Sequence, residues 1–173
     1  MAVDYFLKID GIDGESQQTG HVKELEMDNW SFGETQSGVA TTATGSASGK
    51  VTLNEFRFSK RMDSASAKLM QYCANGKHIK WARFTARRAG SEGGVPVDYL
   101  FATFGDLVIS SHEISGTGAE GWPYESIAFS YGQLVVSYKQ MVKGVAQGLI
   151  QGGYDAEKNT KIASVDGAPG ISS

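Results

Sequence analysis

Side chains of a β-strand alternate between its two faces, so a run whose apolar residues change parity cannot lie flat against a single core. Three runs of this chain change parity. Leu25 and Met27 give way to Trp30 and Phe32, Val51 and Leu53 to Phe56 and Phe58, and Ile127, Phe129 and Tyr131, across Gly132, to Leu134, Val136 and Tyr138. Each flip requires a bulge, or a strand buried on different faces at its two ends. Both devices belong where sheets curl into barrels or where subunits pack on the outer face.

The other elements agree with such a fold. Val3, Tyr5, Leu7 and Ile9 form a half-buried strand that stops at Gly11. One helix stands out: Asp63 or Ser64 caps it, Ala65, Leu69, Tyr72 and Cys73 make its apolar stripe, and Asn75-Gly76 supplies a left-handed stop. Lys77 to Arg88, Val97 to Phe104 and Leu107 to Ser111 read as further strands. The expected class is mainly β: a small antiparallel β-barrel of two sheets, one flanking α-helix and a long extended loop. Residues 1–140 form the barrel domain. Residues 141–173, Gly-rich and weakly patterned, are expected to be a flexible C-terminal tail.

Composition narrows the function classes. A chain of 173 residues suits one domain, which buries roughly 70% of its unfolded surface. Sixteen basic and nineteen acidic residues leave a net charge of -3, the opposite of a nucleic-acid footprint. Cys73 is the only cysteine, which excludes an intramolecular disulfide and a cysteine-based zinc cluster. No stretch approaches the ~20 apolar residues of a membrane-spanning helix, and no cleavable signal is evident at the N-terminus. Synthesis in the cytoplasm, and export by a route without a cleaved signal peptide, are the expectation.

Candidate chemistries are weak. Gly116, Gly118 and Gly121 spell GxGxxG, but Trp122-Pro123 and a strand follow instead of a helix, so the segment reads as an inter-strand loop. His21, His78 and His112 lie far apart without a second ligand at metal spacing, and are assigned surface or hydrogen-bonding duty. Asp10, Asp13 and Glu15 crowd one turn without the spacing of a calcium loop. Ser46 and Ser48 of GSASG miss the nucleophile-elbow spacing. The basic run Lys77, Lys80, Arg83, Arg87, Arg88 divides between two strand faces, as solvated charge or as inter-subunit pairing. No catalytic residue, cofactor or metal site is expected.

Collinear motifs carry a resemblance. AVDYFLKIDGIDGES (2–16), NWSFGETQSG (29–38), GKVTLNEFRFSKRMDSASAKL (49–69), CANGKHI (73–79), RRAG (87–90), VDYL (97–100) and ESIAFSYGQLVVSYKQ (125–140) resemble the haemolysin-coregulated protein (Hcp) family of the type VI secretion system. GGYDAEKNTK (152–161) is a further echo. The resemblance implies a structural tube protein: hexameric rings that stack, are exported beneath a spike protein by a contractile sheath, and hold small effectors in the lumen. Neither nucleic acid nor membrane insertion is implied. The ring-stacking loop implied by the family spans Gly33, Glu34, Thr35, Gln36, Ser37, Gly38, Val39, Ala40, Thr41, Thr42, Ala43, Thr44, Gly45, Ser46, Ala47, Ser48 and Gly49. If Trp30 and Phe32 face the core, Asn29 and Ser31 face the lumen and contact cargo. Departures from the family pattern, including Ala67 where Pro is common and Trp122-Pro123-Tyr124 in a usually charged segment, bear on stacking partners and cargo. A bacteriophage-type tail-tube subunit and a small-ligand-binding β-barrel carrier are the alternatives.

Overall fold

The computed structural model describes residues 3–38, 49–90, 94–119, 121–143 and 145–171. Its elements are β1 (Val3–Ile9), β2 (Leu25–Met27), β3 (Asn29–Gln36), β4 (Val51–Arg61), α1 (Ser66–Asn75), β5 (His78–Arg88), β6 (Val97–Ser115), β7 (Tyr124–Val142), β8 (Val145–Asp155) and β9 (Thr160–Lys161). All strand pairings are antiparallel, in the order β2-β1-β5-β6-β7-β4-β3, with β8 on β7 and β9 on β8. The fold is mainly β with one helix. Its ladder is one continuous sheet of nine strands, not two separate ones.

The curl of that sheet follows from connectivity. The strands that end the order, β2 and β3, are consecutive in the chain and separated only by Asp28. Its two ends must therefore meet. Asp28 N–H donates to the Ser59 carbonyl at 2.9 Å, fixing the corner against β4, although no ladder closes the seam. This corner is the first parity change: Leu25 and Met27 are buried on one side of it, and Trp30 and Phe32 pack from the other.

A bulge accounts for the second change. Ser31 faces Arg57 and Gly33 faces Asn54, so the stretch of β4 containing Glu55 and Phe56 has one residue more than the strand opposite. The third is a coordinated bend. Ile79, Leu107 and Tyr131 lie in one cross-strand row and Ala82, Phe104 and Leu134 in another, and all six enter the same core. Each of three neighbouring strands thus steps three residues between core positions. Asp106, at φ 53, takes the left-handed turn of the backbone within this bend. For that reason Val97–Phe104 and Leu107–Ser111 belong to the single strand β6 rather than to two.

The expected flexible tail is corrected by the structure. Val145–Asp155 pairs with β7, and the segment after β9 lies over the outer face, where Val165 joins Trp81 and Val135 in a second small cluster. A Cβ on Gly105 would come within 2.7 Å of Val165 Cγ1, so the close approach requires glycine there. Part of the apolar surplus expected at a subunit interface is therefore covered by the chain itself.

The interior is filled with aromatic rings. Phe56 lies 4.9 to 5.9 Å, centroid to centroid, from Phe32, Phe58, Phe84, Phe104 and Phe129, and Phe56, Phe84, Phe104 and Phe129 are fully buried. Pairs of this kind contribute about 0.5–1.5 kcal/mol beyond burial of their area. Helix α1 seals one opening through buried Ser66 and Leu69. Asp63 accepts the Ala65 N–H at 2.9 Å before the helix starts, and Gly76 at φ 62 ends it. Ser64 is not a side-chain cap; its N–H donates to Glu15 Oε1 at 2.9 Å.

Candidate functional site

The geometry offers surfaces for assembly. On β3, Trp30 and Phe32 pack against the core while Asn29 and Ser31 are exposed on the opposite face. Asn29 Nδ2 donates to Ser59 Oγ at 2.6 Å. Ser31 borders a polar groove of about 580 Å³ at the β4 bulge, where Arg57 and Glu55 pair at 2.5 Å. The expected stacking loop is shorter than its sequence implies. Gly33, Glu34, Thr35 and Gln36 belong to β3 and pair with Asn54, Leu53, Thr52 and Val51; a Gly- and Thr-rich composition does not prevent pairing when the opposite strand is in register. Ser37, Gly38 and Gly49 flank it, and Val39 to Ser48 lie outside the described residues.

A larger, apolar groove opens where one edge of β7 changes partners. Its first half pairs with β4 through Phe56–Arg61, and its second half pairs with β8. Beyond Phe56 the two partners diverge, leaving about 710 Å³ lined by Val51, Leu53, Leu134, Val136, Tyr138 and Ile150, with Glu34 and Gln36 at the rim. Ile150 is 64% exposed. Among the described residues, β3 pairs only with β4, and the outer edge of β8 is met by β9, by the Ile162 N–H at the Gly153 carbonyl and by the Ala163 carbonyl at Gln151, leaving Val145–Ile150 without a ladder partner on that side. Both are open template edges.

The ionisable residues are occupied in holding the fold. His21 is buried and stacks on Phe6 at 4.1 Å, with Nδ1 2.7 Å from Glu24 and Nε2 3.2 Å from Asp98. Burial alone would lower its pKa, but the hydrogen bonds and charges of Asp98 and Glu24 prevail and push it up to about 9. Burial would raise Asp98; His21 and Arg87 hold it at about 2. Arg87 Nε donates to Asp98 at 2.6 Å and Nη1 to the Thr19 carbonyl at 2.8 Å, so the cluster fastens the β1–β2 loop to β5 and β6. Because the His21 pKa is raised, its contribution is complete below the unfolded value of 6.5 and is lost as pH rises through about 9. Denaturant melts should show stability falling between about pH 6.5 and about pH 9.5, a fall that His21→Gln removes. An unchanged alkaline limb in that variant would refute the assignment.

His112 Nε2 donates to buried Glu125 at 3.0 Å, and His78 pairs with Asp106 at 2.8 Å. The hub formed by Lys60, Glu125, Asp63 and Ser66 escaped sequence reasoning. Lys60 continues the parity of Phe56 and Phe58, and Glu125 that of Ile127 and Phe129, so alternation places both on the core face; their charge is what argues against burial. Among the described residues, no group of three His, Cys, Asp or Glu side chains is arranged to hold a metal ion. No helix is long and apolar enough to cross a membrane among the described residues. The GxGxxG segment joins β6 to β7 in a hairpin, outside any helix start.

Comparison with known proteins gives one consistent answer. Residues 6–138 match the family described as type VI secretion system effector, Hcp. The chain is 34% identical over 149 residues to Protein hcp1 of Pseudomonas aeruginosa, covering 86% of this chain and 91% of that protein. The crystal structure of Hcp1 from Salmonella typhimurium superposes with a TM-score of 0.77 at 37% identity, over 94% of this chain and 100% of the other. A structure described as a type six secretion system protein superposes with a TM-score of 0.83 at 28% identity, over 93% and 100%. A nine-stranded curled sheet sealed by one helix, matched in sequence and in fold over nearly its whole length, places this chain in the Hcp family of type VI secretion proteins.

Proposed function

We propose that six copies of this chain close into a ring, that rings stack into the type VI secretion tube, and that the tube is exported with small effectors in its lumen. The contractile sheath and the spike protein are the partners this reading requires. The observation that carries it is the pair of open edges, β3 and β8, flanking an apolar groove. Two different surfaces of one chain make a heterologous contact, and such a contact closes into a ring when its rotation permits. The aromatic rings that fill the interior argue against a carrier that holds its ligand inside the barrel. No residue is assigned a catalytic role.

Light scattering after gel filtration should give six times the 18.5 kDa of the single chain. A monomer at micromolar concentration would end the ring reading. Cargo contact is assigned to Asn29 and Ser31, whose short polar side chains keep a channel wall wide and free of apolar patches. Replacing exposed Ser31 with Gln should leave ring mass and melting temperature nearly unchanged, since surface substitutions stay within about 0.5 kcal/mol, while lowering co-purification of an effector. Effector retention indifferent to bulk at this position would remove Ser31 from the lumen wall. Ring stacking is assigned to Gly33 to Gly49, of which the part beyond Gln36 is free of the β4 ladder as far as it is described.

A further inference from the structure

A cavity of about 180 Å³ lies between the outer face of β5 to β8 and the C-terminal segment that crosses it. At ~30 Å³ per water, it has room for about six waters. Among the described residues its lining is rich in hydrogen-bond donors and holds no carboxylate: Arg83, Thr103, Ser137, Gln151 and Ser164 are the polar residues, and the Gln151 amide already donates to the Ala163 carbonyl.

Three observations converge there. Ser137 is fully buried, and its Oγ has no hydrogen-bond partner. It shares strand parity with Val135, which packs on Val165, so the hydroxyl faces the C-terminal segment and not the aromatic core. A buried donor left unmet is unfavourable. Second, Arg83 Nε donates to Thr103 Oγ1 at 3.0 Å, and the guanidinium donates further to the carbonyls of Pro169 and Gly170. Those acceptors are neutral. Burial presses its pKa downward, with the charge of Glu24 acting the other way. Third, Thr103 and Ser137 are diagonal neighbours on β6 and β7, and both line the cavity.

We propose that this cavity binds a small tetrahedral oxyanion, inorganic phosphate or sulfate, clamped between the Arg83 guanidinium and the hydroxyls of Thr103 and Ser137. The anion supplies the countercharge that the described lining lacks, gives Ser137 its acceptor, and holds the C-terminal segment against the barrel. The cavity volume admits a free inorganic ion and excludes a nucleotide. Ring formation is not required for this site, which lies within a single chain.

Hydrogen exchange over residues 162–171 of the full chain tests it, in sodium phosphate, sodium sulfate and sodium chloride at matched ionic strength. Phosphate or sulfate should slow exchange of this segment at least about threefold relative to chloride, because a ligand bound only to the closed state lowers the open population. Protection by one oxyanion and not the other identifies the natural source. Ser137→Ala folds, since it removes an unmet hydroxyl, and should lose most of the oxyanion effect. Arg83→Gln should lose it entirely. Equal protection by chloride overturns the proposal. Full oxyanion protection in Ser137→Ala overturns it too, whatever Arg83→Gln does.

Discussion

Replacing Glu125 with Ala is expected to destabilise the subunit by about 3–5 kcal/mol, the usual cost of stranding one member of a buried ion pair. Lys60 Nζ lies 2.8 Å from Glu125 and 2.6 Å from Asp63, and both Lys60 and Glu125 are 0% exposed. Ser66 Oγ donates to Glu125 at 2.8 Å and His112 Nε2 at 3.0 Å. One carboxylate thus ties β4, β6 and β7 to the first turn of α1. Burial would raise its pKa, but Lys60 and Ser66, with His112, hold it below the ordinary value, so its contribution is present above that value and is lost as pH falls. A melting temperature lower by roughly 6–20 °C is the expected readout for a chain of this size. Replacing both partners, Lys60→Met with Glu125→Leu, should recover most of the loss, because apolar residues of similar volume satisfy a buried site once neither charge remains. A mild effect of Glu125→Ala alone would show that water reaches the pair.

The contrast between this hub and the aromatic core shows what a sequence discloses. Phe56, Phe58, Phe84 and Phe129 announce burial through their size and alternation, and the flips at Asp28, Glu55 and Gly132 announce that the sheet cannot be flat. Their three causes, a corner, a bulge and a coordinated bend, depend on pairing register and are invisible in any single run. Lys60 and Glu125 continue the buried parity of Phe56 and Phe58 and of Ile127 and Phe129, but their charge argues for solvent, so pattern and chemistry disagree at these two positions. The C-terminal segment misleads for a related reason. Its glycines suit a tail, yet Gly153 allows close approach to Leu134 and Val135, and Val165, with Ile162 and Ala168 beside it, docks the chain over Trp81 and Val135. Asn29 and Ser31 were legible as outward-facing because their neighbours are aromatic; what they face in an assembly depends on surfaces supplied by other copies.

Those other copies make Ile150 the most informative residue of the groove. It sits on β8 opposite Tyr138, and both side chains contribute to the apolar wall shared with Leu53 and Val136. Exposed by 64% in the single chain, Ile150 is available to a neighbour. Ile150→Glu should therefore change subunit stability by no more than about 0.5 kcal/mol. In a ring that buries this wall, an unpaired carboxylate costs several kcal/mol at every interface, and six such contacts must form at once for closure. The expected result is a folded 18.5 kDa monomer with an unaltered cooperative melt. Ile150→Leu, which keeps the apolar surface, should retain the ring. A full-mass ring formed by Ile150→Glu would move the subunit contact away from the groove between β4 and β8, leaving the β3 edge as the surface to examine next.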